Sequence, residues 1–99
     1  MTVELSIVSF VSPKFLLGKL TATPNALEHL TENDILEALR RHLAGDWGEV
    51  DREDKATNDA ALLQGTRLLS VYSSSSGTKF WIITEGDRSA TTILLPEDY

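Results

Sequence analysis

At 99 residues the chain has room for one domain and not for a second independent core, and 41% hydrophobic with 24% charged residues excludes a disordered or fibrous chain. Fifteen acids against nine bases leave a net charge of -6, which repels phosphate backbones and disfavours general nucleic-acid affinity. The absence of cysteine excludes disulfides and thiolate zinc sites and makes the cytosol the default compartment.

Residues 3–11 alternate, with Val3, Leu5, Ile7, Ser9 and Val11 on one side, and this predicts a strand. The first twelve residues lack a basic start and carry Glu4, and no run reaches the ~20 apolar residues of a membrane span. Neither a signal peptide nor a transmembrane helix is expected. Pro13 interrupts the strand, and the apolar run Lys14 to Leu20 around Gly18 reads as a second strand or a covering loop. Thr23 followed by Pro24 predicts a short helix from Pro24 to Leu30. Thr31 with Asp34 approximates a capping box, after which Ile35, Leu36, Leu39 and Leu43 recur at helical spacing. Arg40 and Arg41 complement the negative end of that helix, and Gly45 is placed to end it.

Asp51 to Gln64 reads as another helix, with Ala56, Ala60 and Leu63 on one stripe and Gly65 past its end. Residues 67–73 and 79–85 are rich in β-branched and aromatic side chains and flank a serine-rich turn, the signature of a hairpin. Gly86 to Ser89 makes a second turn, and Ala90 to Leu95 forms a third strand before Pro96. The pattern predicts one α+β domain over residues 1–99. Two or three helices pack on one face of an antiparallel sheet that ends in a three-stranded meander. Leu69 with Val71, Phe80 with Ile82, and Ile93 with Leu95 are expected on the covered face, beneath the Ile35, Leu36, Leu39, Leu43 stripe.

The motifs ATP-x-ALE-x-L, RH-x-x-GDWGEVD-x-EDK-x-x-ND-x-AL, G-x-RLLS-x-Y and G-x-K-x-WIITE-x-DRSATTILLPEDY together cover roughly Gly18 to Tyr99. In these motifs the chain resembles a group of small bacterial proteins carried mainly on plasmids and other mobile elements. The resemblance implies a bacterial, intracellular, accessory protein, without an assigned activity.

Between Asp46 and Asp59 six acids stand against two bases. Asp46, Glu49, Asp51, Glu53 and Asp54 do not follow the alternating order of a calcium loop, so they predict a solvated, helix-capping acidic turn, with no metal and no cofactor. Trp47 and Trp81 are read as structural anchors, because large aromatics contribute most to a small core. His42 lies seven residues after Ile35, on the inner side of its helix, and Asp46 follows one turn later. A His–Asp pair is the orienting half of a nucleophilic triad, but no serine stands in a G-x-S-x-G turn, and Ser73 to Ser76 occupy a loop. His42 is therefore expected at a boundary, hydrogen-bonded to the GDW turn, and His29 at the surface.

Glu85, Asp87 and Arg88 gather at a hairpin tip, for which two readings stay open. One is a recognition edge where Arg88 pairs with a carboxylate or phosphate. The other is a tight turn in which Asp87 bonds its own backbone and Arg88 ties the turn to the acidic helix.

Two classes of function follow. In outline the chain looks similar to ribosome-dependent RNase toxins, for which Arg67, Tyr72, Lys79, Arg88 and Tyr99 would supply a cationic and phenolic site, although such proteins are typically basic. The other class is a non-enzymatic module that binds a basic protein through Asp46, Glu49, Asp51, Glu53, Asp54 and Asp59, with Asp87 and Arg88 as further contacts. The charge balance favours the module, in the cytoplasm, without nucleic acid or membrane as partner. Self-association stays open.

Overall fold

Each helix starts where a side chain replaces a missing backbone partner. In the computed structural model, which describes residues 2–5 and 13–99, Thr23 Oγ1 accepts from Ala26 N and opens α1 (Pro24–His29). Thr31 and Asp34 complete a reciprocal capping box at α2 (Glu32–Leu43), with Asp34 N bonded to Thr31 Oγ1 and Thr31 N to Asp34 Oδ2. Asp51 accepts from Asp54 N and starts α3 (Arg52–Gln64), which Gly65 closes at φ 69°. Among the described residues no helix is long and apolar enough to cross a membrane.

Five strands form one mixed sheet in the order β1-β2-β5-β4-β3, comprising β1 (Val3–Glu4), β2 (Lys19–Ala22), β3 (Leu68–Ser73), β4 (Lys79–Thr84) and β5 (Ala90–Leu94). The C-terminal meander is present, with β3 antiparallel to β4 and β4 to β5. The helices pack on one face of the sheet, so the α+β reading holds. The sheet is not antiparallel throughout, because β2 pairs with β5 in parallel, Leu20 opposite Thr91 and Ala22 opposite Ile93. The Lys14–Leu20 run divides between the two readings given to it, a covering segment to Gly18 and then a strand. Of the strand expected over residues 3–11, only Val3–Glu4 falls in a described strand, and residues 6–12 lie outside the described residues.

The main core joins Leu20, Ala22, Tyr72, Phe80, Ile82, Ile93 and Leu95 of the sheet side to Ala26, Ile35, Ala38, Leu39 and Leu43 of the helices. Two expectations shift, by one position on β3 and around the helix on α3. On β3 the covered face is Leu68, Ser70 and Tyr72, while Leu69 and Val71 point to the other side. On α3 the buried residues are Asn58 and Ala61, and Leu63 is 91% exposed.

One side chain accounts for both shifts. Asn58 Nδ2 donates to Leu69 O at 2.8 Å, and its Oδ1 accepts from Leu69 N at 3.1 Å, so the amide completes the free edge of β3 as a neighbouring strand would. Farther along that edge Val71 N donates to Trp47 O and Glu49 N to Val71 O. A Cβ on Gly48, at φ 75°, would lie 2.0 Å from Val71 O, so only glycine permits this approach. Replacing Asn58 with Ala leaves the Leu69 N–H and C=O without partners at a closed edge. The expected loss is about 1–3 kcal/mol in urea unfolding, and a loss near zero would show that water satisfies the edge equally well.

Candidate functional site

The acidic segment leads from α2 into α3, and most of its carboxylates serve the fold. Asp46 receives Arg41 Nε at 2.8 Å and Gly48 N at 3.2 Å. The Arg41 bond first, and then the Gly48 amide, hold its carboxyl below the usual range. Asp59 accepts Trp47 Nε1 at 2.9 Å and Lys55 Nζ at 3.1 Å, and these two bonds, in that order, lower its pKa. The Ser73 hydroxyl, followed by the Lys79 ammonium at 3.3 Å, lowers Glu49. Asp51 is the α3 cap. Glu53 and Asp54 stand exposed in the first turn of α3, with no side-chain ion pair or hydrogen bond among the described residues. No group of three or more His, Cys, Asp or Glu able to hold a metal ion occurs among the described residues.

Trp47 is 2% exposed beneath this turn, stacked on Phe15 at 6.4 Å and edge-on to His42 at 5.6 Å. Trp81 lies outside both hydrophobic clusters of the helical side. It is half-buried on the opposite face of the sheet, against the exposed ring of Tyr99 at 5.6 Å. That face also carries Leu69 and Val71, with Ile83 and Leu94 buried between the strands, and Arg67 Nη1 donates to the Tyr99 hydroxyl at 2.8 Å. The five residues considered for RNA therefore do not gather in one site. Arg67, Lys79 and Tyr99 belong to this outer side, whereas Tyr72 is buried in the main core and donates its hydroxyl proton to Asp46 O.

Arg88 is turned inward. Its Nη1 donates to Thr66 O and Glu85 O and its Nη2 to Ala61 O, so the guanidinium caps the carbonyl end of α3 and bridges it to the β4–β5 turn. Of the two readings of the hairpin tip, the geometry is that of the tight turn. Asp87 accepts from Ser89 N, and the Ser89 hydroxyl and then its amide lower the Asp87 pKa. Three of the five Arg88 N–H donors are thus spent on carbonyls of the fold.

His42 also departs from expectation, since Asp46 is paired with Arg41 and the imidazole is fully buried. Its Nδ1 lies 2.6 Å from Ser70 Oγ and its Nε2 2.9 Å from Thr84 Oγ1. Thr84 Oγ1 lies 2.7 Å from Thr91 Oγ1, and Thr91 donates to Leu17 O at 2.8 Å. The sequence suggests Thr84 and Thr91 as hydroxyls beside the hairpin tip and does not pair them with His42, although Ser70, Thr84 and Thr91 each occupy the inward position of a strand alternation. A Ser–His pair in hydrogen-bond contact resembles a nucleophile with its base, but this one is sealed: both residues are 0% exposed. No family model matches the sequence, and comparison with curated proteins and with solved structures returns no match.

Proposed function

We propose that the protein is a non-enzymatic binding module that engages a basic protein partner through its acidic helical layer, in keeping with an accessory role of the plasmid-borne kind it resembles. The observation that carries this reading is the segregation of charge. Residues 24–64, which hold all three α-helices, contain ten acids and four bases, whereas the rest of the chain contains five of each. The whole net charge of -6 thus belongs to the helical layer. Such a one-signed field speeds encounter with a cationic surface and repels phosphates.

The structure also separates acids that maintain the fold from acids free to act at a distance. Asp46, Asp51 and Asp59 belong to the first group, while Glu28, Glu32, Glu53 and Asp54 make no side-chain ion pair among the described residues. Exchanging those four for Gln and Asn is expected to slow association with a basic partner, recovered by affinity capture, about tenfold at low salt. It should flatten the salt dependence and change stability by no more than about 0.5 kcal/mol per substitution. Unchanged association kinetics would remove the acidic layer from the interaction.

The RNase reading keeps one support, the Arg67–Tyr99 pair beside Trp81 on the outer face of the sheet. Growth arrest on induction, with RNA cleavage in a purified translation mixture that disappears in Arg67→Ala, would establish it in place of the module.

A further inference from the structure

Donor counting fixes every proton in the buried chain around His42. Thr91 gives its proton to Leu17 O, so the Thr84–Thr91 contact uses the proton of Thr84. The Thr84 oxygen is then an acceptor, His42 must carry its proton on Nε2, and Nδ1 accepts from Ser70. This single arrangement ties α2 to β3, β4 and β5 and to the segment before β2. A second proton on the imidazole would face the Ser70 hydroxyl at 2.6 Å and force it to turn its own proton away, towards the Tyr72 hydroxyl of the same strand, which already donates to Asp46 O.

The surroundings offer that added charge nothing. The segment before β2 presents the Phe15 ring at 5.2 Å and the α2–α3 connection the Trp47 ring at 5.6 Å. Strands β3 and β4 present Ser70 and Thr84, and α3 contributes Ala61 to the Trp47 cluster, while its Asp59 carboxylate is taken up by the Trp47 indole and Lys55. On α2 itself the neighbouring Arg41 is paired with Asp46. The charged group acting on the ring is Arg88, of the same sign as a protonated imidazole.

We propose that His42 and its hydroxyl partners form an acid-sensitive latch holding α2 to the sheet, which one proton on the imidazole releases. This device is independent of the binding reading above. Burial first, and then the charge of Arg88, depress the folded pKa to about 3, from an ordinary value near 6.5. The folded state therefore binds fewer protons than the unfolded chain between these values. The latch is fully effective above about pH 6.5 and weakens as pH falls towards 3.

The test is urea unfolding of the full chain in a His29→Gln background, which removes the other histidine. Between pH 7 and pH 5 the unfolding constant is expected to rise about twenty-five-fold through His42. The lowered carboxylates add only about twofold over that range, because most stay ionised in both states. His42→Gln in the same background should retain only the smaller rise. An equal pH response in both proteins, or a rise below threefold in the parent, would overturn the proposal. If His42→Gln does not fold, nitrogen NMR of the imidazole in the parent decides: a neutral Nε2–H form in folded protein at pH 5 supports the latch, and a protonated His42 in folded protein overturns it.

Discussion

Trp47→Ala is expected to cost about 3–5 kcal/mol, a large share of the roughly 5–15 kcal/mol that stabilises a typical domain. The side chain is 2% exposed and packs with Ala61 and Leu68, with Phe15 and His42 against its ring, so truncation opens a cavity where α3 meets the sheet. It also removes the indole donor from Asp59. Trp47→Phe separates these effects, because it retains most of the packing and loses the hydrogen bond, and it should cost clearly less. Urea unfolding gives the magnitudes. Acrylamide quenching in a Trp81→Phe background reports burial directly, and quenching at the rate of free indole would contradict this placement.

The second large effect is expected at Leu39. Its side chain is 0% exposed on the inner side of α2, in the cluster that includes Phe80, Ile82 and Ile93. Leu39→Ala should lose about 2–5 kcal/mol, the upper part of that range applying if the sheet cannot relax into the space. Leu36 stood beside Leu39 in the expected stripe, but it is only half-buried, at the rim of a groove with Leu27 and Glu32. Leu36→Ala should therefore cost less than half as much. Equal losses at the two positions would mean that the helix is rotated from the described orientation.

The helix limits were legible in the sequence because a few neighbouring residues decide them. The Thr31–Asp34 box, the Asp51 cap and the left-handed Gly65 each satisfy backbone groups within about one turn. The hairpin was legible for the same reason, with two β-rich runs on either side of a turn-forming cluster. The facing of β3 was not. In Arg67-Leu68-Leu69-Ser70-Val71-Tyr72 each alternation holds two large hydrophobic or aromatic residues and one polar one, and a one-residue change of phase exchanges the two faces completely. The contact that fixes the phase, Asn58 to Leu69, spans eleven positions and comes from a residue that pattern reading places at a surface.

The candidate site divides in the same way. Net charge and its concentration in residues 24–64 belong to the composition of the chain, and no folding event alters them. Which acids remain free was decided by tertiary pairing, as when Trp47 reaches Asp59 twelve positions away and Lys79 reaches Glu49. Arg88 and His42 show the reason most clearly. Each is a polar group whose burial is tolerable only if its hydrogen bonds are met, and the partners that meet them come from β3, β4, β5 and the end of α3. The sequence by itself determined the capped helices, the meander and the sign of the surface field, since each depends on neighbours along the chain or on composition. Only the tertiary structure decided the parallel β2–β5 pairing, the phases of β3 and α3 and the fate of each polar side chain, because those depend on groups that meet only after the chain has folded.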